Sequence, residues 1–324
     1  MCTALSFSAK DHYFGRNLDL EFSYNEEIVI TPRNFALSFK QLPDLCEHFA
    51  MIGVGVVSKN YPLYFDATNE KGLSMAGLNF PDNAVYNVAK DGMINVTPFE
   101  LIPYILGSCE TVEQAKPLLA KLNLINVPFS PAFPLTPLHF ILSDKEQSLV
   151  IEPMCDGLKV YENKAKVLTN NPPFPMQMQN LSNYMHLTSN PPENRFSDEL
   201  LLTAYSRGMG AMGLPGDLSS SSRFVRAAFV SQKAVKEKNE LLAVGQFFHI
   251  LKSVEQQKGC VILEGGETEF TLYSSCCNTD KGIFYYTTYN NSQISCIRMY
   301  NENLDSQKLI TYPMITEQQI YKHN

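Results

Sequence analysis

The sequence predicts an α+β protein, because blocks of strand patterns alternate with blocks of helix patterns and no run of βαβ units appears. Two further observations favour one large domain over residues 1–324. No Ser/Gly-rich linker, low-complexity tract, charge block or repeat marks a boundary, and 44% hydrophobic against 18% charged composition suffices to bury a large core.

Residues 2–22 read as a hairpin: CTALSFS alternates, AKDH turns, and YFGRNLDLEF resumes the alternation. Further strands are expected at 28–32, 49–57 and 63–67, and TNEKG then turns into LSMAGLNF at 73–80. TPFE at 97–100 has the form of a capping box, with Thr97 as cap and Pro98 at the first helical position, so a helix is expected to about 108. TVEQ at 111–114 repeats that logic and predicts a second helix to about 123. From 137 to 170 the chain reads as successive antiparallel strands, and helices are then expected at about 197–207, 219–235 and 240–256. VILEG, EFTLYSSCC, GIFYYTTYN and QISCIRMY close the chain as strands.

Several functions are disfavoured. With 26 Lys+Arg against 33 Asp+Glu the formal charge is −7, and the cations are scattered, so nothing invites nucleic acid. The longest apolar stretches fall well short of a membrane span, and the N-terminus lacks the pattern of a signal peptide, so no membrane role and a cytoplasmic location are expected. Eight cysteines and six histidines are dispersed without CxxC or paired Cys/His spacing, which predicts free thiols and no metal. GMGAMG at 208–213 matches GxGxxG, but it follows a predicted helix and leads into LPGD, the context of a turning loop rather than a phosphate cradle.

The chemically distinctive residue is Cys2. If Met1 is removed, one residue carries a thiol and a free α-amine. The thiol, at about pKa 8.5, needs a base, and the amine, at about 7.7–8.0, is already partly deprotonated at neutral pH. FGRNLDLE adds Arg16, which could favour the thiolate, and Asp19, which could hold the amine. Strict alternation puts positions 16 and 19 on opposite faces of one strand, so they converge only where that strand ends, bends or bulges. A surface ion pair is the other reading of these two.

MCTA, GRNLDLE at 15–21, NEKGLSMAGLNF at 69–80, VLTNNP at 167–172, SSRFVRAAF at 221–229 and SSCCNTDKGIFYYTTYNNSQI together resemble the choloylglycine hydrolase family. That family comprises bile salt hydrolases and penicillin V acylases of the N-terminal nucleophile hydrolase superfamily, and the sequence is most similar to the bile salt hydrolases of lactobacilli. The resemblance implies a four-layer αββα sandwich of two antiparallel sheets between helical layers, with Met1 removed in the mature enzyme. It implies that Cys2 is the nucleophile and its amine the proton shuttle, with Arg16 at the sulfur, Asp19 at the amine and Arg223 supporting the cluster. Asn79, through its backbone N–H, and Asn171, through its amide, resemble the oxyanion pair, with Asn170 as an adjacent competitor for the second role.

No cofactor is implied. The implied partners are conjugated bile acids of the glycocholate and taurocholate type, and a homotetramer assembled through an outward hairpin in 180–215. Asparagine at position 79 falls on the bile salt side of the family, where penicillin acylases tend to carry tyrosine. Leu18, Leu20, Phe65, Phe129 and Phe133 are the expected steroid contacts, on the catalytic strand and on loops rich in Tyr, Phe and Pro. The alternatives are a penicillin V acylase and a non-catalytic bile-acid binding protein on the same scaffold.

Overall fold

The structure, a computed structural model, describes residues 1–324. The chain opens with β1 (Cys2–Ser8), β2 (His12–Leu20) and β3 (Glu27–Thr31). It continues through β4 (Met51–Ser58), β5 (Tyr61–Asn69), β6 (Ser74–Asn79) and the short β7 (Ile94–Val96) before α1 (Leu101–Ser108) and α2 (Val112–Leu119). β8 (Leu122–Leu124) leads to β9 (Leu138–Ser143), β10 (Ser148–Met154), β11 (Gly157–Glu162) and β12 (Val167–Leu168), then α3 (Phe174–Leu181), α4 (Ser220–Lys233) and α5 (Glu240–Lys252). β13 (Val261–Ile262), β14 (Thr268–Asn278), β15 (Ile283–Thr288), β16 (Asn291–Arg298) and β17 (Ile310–Pro313) complete the chain.

These strands build two antiparallel sheets. One runs β12-β1-β2-β14-β15-β16 with β13 beside β14, and the other runs β11-β10-β9-β6-β5-β4-β3-β17. α4 packs on β1 and β12, α5 on β14 and β2, and α1 on β5 and β6, giving the αββα layering. Strand alternation makes the layers: Ile28 and Ile30 of β3 join the large core that includes Cys2, while Val29 between them joins the smaller core under α1 and α2.

Some local expectations shift. Thr97 N–H donates to the Glu100 carboxylate (3.0 Å), half of a capping box, yet Thr97 Oγ1 caps nothing and regular helix begins only at Leu101. Thr111 does cap α2, accepting from Gln114 N–H (3.2 Å), but the helix stops at Leu119 because Leu122–Leu124 pairs in parallel with β7. The helix expected at 197–207 does not form. Phe196, Leu201 and Tyr205 are exposed there, and a short helix with no apolar face to bury is marginal. No strand pair forms in 180–215 either, so that region is not a hairpin. GMGAMG is a turn, with Gly208 left-handed at φ 82° before a single 3-10 turn at Met209–Ala211.

Candidate active site

The β1–β2 register organises the centre. Cys2 stands opposite Leu18, Thr3 opposite Asn17 and Ala4 opposite Arg16. Cys2, Arg16 and Leu18 therefore share the face that meets the second sheet, and Thr3, Asn17 and Asp19 share the face beneath the helices. Contacts agree: Arg16 Nη1 donates to Phe65 O (2.9 Å) and Gly77 O (2.6 Å), whereas Asn17 Nδ2 donates to Leu251 O in α5 (3.0 Å). The separation of Arg16 from Asp19 expected from alternation is kept, and the two lie on opposite faces of the strand pair that carries Cys2. The bulge is on the neighbouring strand, at Leu272 of β14, between the Thr271↔Asp19 and Tyr273↔Leu18 pairs.

Arg16 reaches the second sheet where that sheet opens. Phe65 is an extra residue on β5, between the Val54↔Asp66 and Gly55↔Tyr64 pairs, and β5–β6 pairing ends at Asp66↔Ala76. The carbonyls freed by this opening accept from the guanidinium, which is fully buried. Burial opposes its charge, but Cys2, Tyr273, Asp66 and Asp19 around it outweigh that cost and hold Arg16 above the ordinary arginine range. Its Nη2 has no hydrogen-bond partner. Behind it, Asp66 accepts from Tyr273 Oη (2.6 Å) and Ser275 Oγ (3.0 Å), and Ser275 Oγ also accepts the Arg16 N–H (3.1 Å). β2 and β14 approach so closely at Gly15 that a Cβ there would lie 1.9 Å from Ser275 O.

On the other face, Asp19 Oδ1 accepts from Thr271 Oγ1 (2.6 Å) and Oδ2 lies 4.0 Å from Arg223 Nη1. Burial raises the Asp19 carboxyl, and Arg223 opposes that rise. Arg223, buried on α4, donates to Cys2 O (2.6 Å), Thr3 Oγ1 (2.6 Å) and Asn170 Oδ1 (2.7 Å). Cys2 N–H donates to that same Asn170 Oδ1 (2.9 Å). In the chain that retains Met1 this nitrogen is a peptide N–H, and it stands in for the α-amine of a processed Cys2. The Met1 ammonium donates to Asp19 O (2.7 Å) and Glu269 Oε2 (2.6 Å).

Asn79 lies past the end of β5–β6 pairing and opposite Leu138. Phe80 N–H donates to Pro137 O (2.8 Å), so alternation turns the Asn79 N–H and C=O away from β9 into the gap. Asn79 O accepts there from Asn170 Nδ2 (2.7 Å). Asn171, the choice from the TNNP motif, is directed elsewhere: its Nδ2 donates to Pro81 O (2.8 Å) and its Oδ1 is buried without a partner. Adjacent side chains on an extended segment diverge, so only one of the two asparagines reaches Cys2, and it is Asn170.

Of the expected apolar contacts, Leu18 is buried opposite Cys2 and Leu20 is half-buried against the large core. Phe65, Phe129 and Phe133 belong to one aromatic chain: Tyr24 lies 6.2 Å from Phe65 and 6.3 Å from Phe133, and Phe129 lies 6.1 Å from Phe133. Tyr61 and Phe99 extend it beyond Phe129, at 5.7 and 5.1 Å. Sequence reasoning missed Tyr24, although EFSY continues directly from the catalytic strand. It also missed Thr271, Asp66, Tyr273 and Glu269, which lie far along the chain from Cys2.

A family model described as linear amide C–N hydrolases, choloylglycine hydrolase family, matches residues 2–312. A bile salt hydrolase/transferase of Lactiplantibacillus plantarum is 51% identical over 324 residues, covering all of both chains. Another from Clostridium perfringens is 38% identical over 318 residues, covering 96% of each. The solved structure of a conjugated bile acid hydrolase from Clostridium perfringens superposes with a TM-score of 0.93 at 37% identity over the whole of both chains. A penicillin V acylase from Agrobacterium tumefaciens shares the fold, with a TM-score of 0.77 at 18% identity over 96% of this chain and 91% of its own. With Cys2 set between two sheets and full-length similarity of this kind, the chain belongs to the choloylglycine hydrolase family of linear amide C–N hydrolases.

Proposed function

We propose that this chain hydrolyses the amide bond of glycine- and taurine-conjugated bile acids through a thioester on Cys2. The observation that carries the reading is the convergence on Cys2 of Arg16 from one face and Asn170 and Arg223 at its main chain. The full-length relative at 51% identity, named a bile salt hydrolase/transferase, supports the choice of substrate.

The chemistry balances without a cofactor. After Met1 is removed, the Cys2 thiolate attacks the amide carbon and the carbonyl π pair moves to oxygen. The Asn79 N–H and Asn170 Nδ2 stabilise that oxyanion. The Cys2 ammonium protonates the leaving nitrogen as the C–N bond breaks, which releases glycine or taurine and leaves the thioester. The amine then takes a proton from water, the resulting hydroxide adds to the thioester, and collapse breaks the C–S bond and returns the thiolate. An amine attacking in place of water would form a new amide instead. Asn170 Oδ1 orients the residue-2 nitrogen, while the Asp19 carboxylate is held by Thr271 beside Arg223, and the enzyme operates in the cytoplasm.

The substrate reading is tested by measuring release of glycine from glycocholate and taurine from taurocholate beside phenoxyacetate from penicillin V. The conjugates are expected to react faster; a faster penicillin V reaction overturns the substrate assignment and leaves the nucleophile standing. The aromatic chain is the apolar wall for the steroid. Phe129→Ala and Phe133→Ala are each expected to raise KM for glycocholate by about 10-fold with kcat within about 2-fold, because a ring contact far from the carbonyl binds substrate and transition state alike. A fall in kcat at unchanged KM in steady-state assays counts against that wall.

The exposure of Met185, Phe196, Leu201, Tyr205 and Met212 supports the reading that the 185–214 segment is the assembly surface of a homotetramer. Light scattering is expected to give four times the chain mass, and a monomeric mass removes this part of the reading.

A further inference from the structure

One fully buried polar pair has no part in the chemistry above. His139 on β9 and Glu152 on β10 are both 0% exposed, with Nδ1 3.1 Å from Oε1. His139 Nε2 lies 2.9 Å from Thr169 O, and since a carbonyl oxygen only accepts, Nε2 carries a proton. Glu152 Oε1 also accepts the N–H of Phe174 (2.9 Å). Thr169 and Phe174 bracket the stretch that holds Asn170, so the pair grips that loop at both ends. The imidazole also stacks on Phe80, 4.2 Å between centroids and 6° from parallel, and His139 pairs with Leu78 across β6. Leu78 and Phe80 flank Asn79.

We infer that His139 and Glu152 are positioning residues for the oxyanion site, fixing Asn170 through Thr169 and Phe174 and Asn79 through its neighbours. The inference rests on the reading of Asn79 and Asn170 as oxyanion donors in amide hydrolysis. A buried polar pair costs desolvation that an apolar pair of equal volume avoids, so its contribution here is a fixed geometry. The wiring also specifies the proton. With Nε2–H committed to Thr169 O, the Nδ1···Oε1 contact is made either by an imidazolium and a carboxylate or by a neutral imidazole and a carboxylic acid. A glutamine at 152 cannot reproduce this. Its oxygen in the Oε1 position needs a proton on Nδ1 and strips one from the neutral ring's Nε2, and its nitrogen there opposes the Phe174 N–H.

The experiment measures kcat and KM for glycocholate, together with the rate of Cys2 alkylation by iodoacetamide, read by mass spectrometry of the N-terminal peptide. Alkylation needs the thiolate but develops no oxyanion. H139F, which keeps a ring against Phe80, is expected to lower kcat by about 10- to 100-fold, with KM and Cys2 alkylation within about 3-fold. H139Q, whose terminal amide can replace Nε2–H, is expected to recover kcat to within about 5-fold of wild type, and E152Q to fall with H139F. Unchanged kcat in H139F, loss of alkylation in step with kcat, or H139Q as slow as H139F each overturns the inference. If circular dichroism shows H139F unfolded, H139Q and E152Q decide: fast and slow respectively supports the wiring, and equal rates overturn it. A wild type that cleaves no conjugate is the failure of the functional reading itself, visible before any variant is made.

Discussion

Cys2→Ala is expected to abolish release of glycine and taurine, lowering kcat by roughly 10⁴-fold or more, while glycocholate still binds within about 3-fold of its wild-type affinity. Alanine removes the sulfur and nothing else that holds the strand. The bonds from the residue-2 N–H to Asn170 Oδ1 and from Arg223 to the residue-2 carbonyl use the main chain of residue 2 and survive. The aromatic chain through Phe65, Phe133 and Phe129 is equally untouched. Isothermal titration of the variant beside turnover of the wild type separates the enzyme from a binding protein on the same scaffold. Turnover in the wild type with binding alone in the variant establishes Cys2 as nucleophile; binding in both with turnover in neither favours the binding protein.

What the sequence made legible was whatever short-range pattern determines. Alternation at 2–8 and 13–22 specifies the β1–β2 hairpin, and that register alone puts Arg16 on the thiol's face and Asp19 on the other. Apolar alternation in β3 likewise separates the two cores. Contacts made by strands that are distant in sequence were not legible. Thr271 reaches Asp19, and Tyr273 reaches Asp66, only because β14 lies beside β2 with a bulge at Leu272, and no local signal announces that neighbour. The helix misread at 197–207 is the reverse case: a pattern with no core face to pack against did not become structure. Asn170 and Asn171 are chemically identical neighbours, and choosing between them required the Cys2 contact itself.

Asn170→Ala is accordingly expected to lower kcat by about 10²- to 10³-fold, the cost of losing one oxyanion donor, and Asn171→Ala to leave it within about 3-fold. Asn170 has further duties, since its Oδ1 accepts from both Cys2 N–H and Arg223 Nη2 while its Nδ2 donates to Asn79 O. Its loss thus removes a donor and leaves a buried guanidinium nitrogen without its acceptor, so part of the fall should appear as lower stability in a thermal melt. Asn170→Asp separates these effects. Aspartate keeps an acceptor for Arg223 and for the residue-2 nitrogen, but it sets a second oxygen against Asn79 O and the oxyanion. Turnover of Asn170→Asp is expected to be as poor as that of the alanine variant, with the melting temperature nearer wild type. If Asn171→Ala proves the slower of the two alanine variants, the donor is Asn171, and the loop must rearrange when substrate binds to bring it from Pro81 to the thiol.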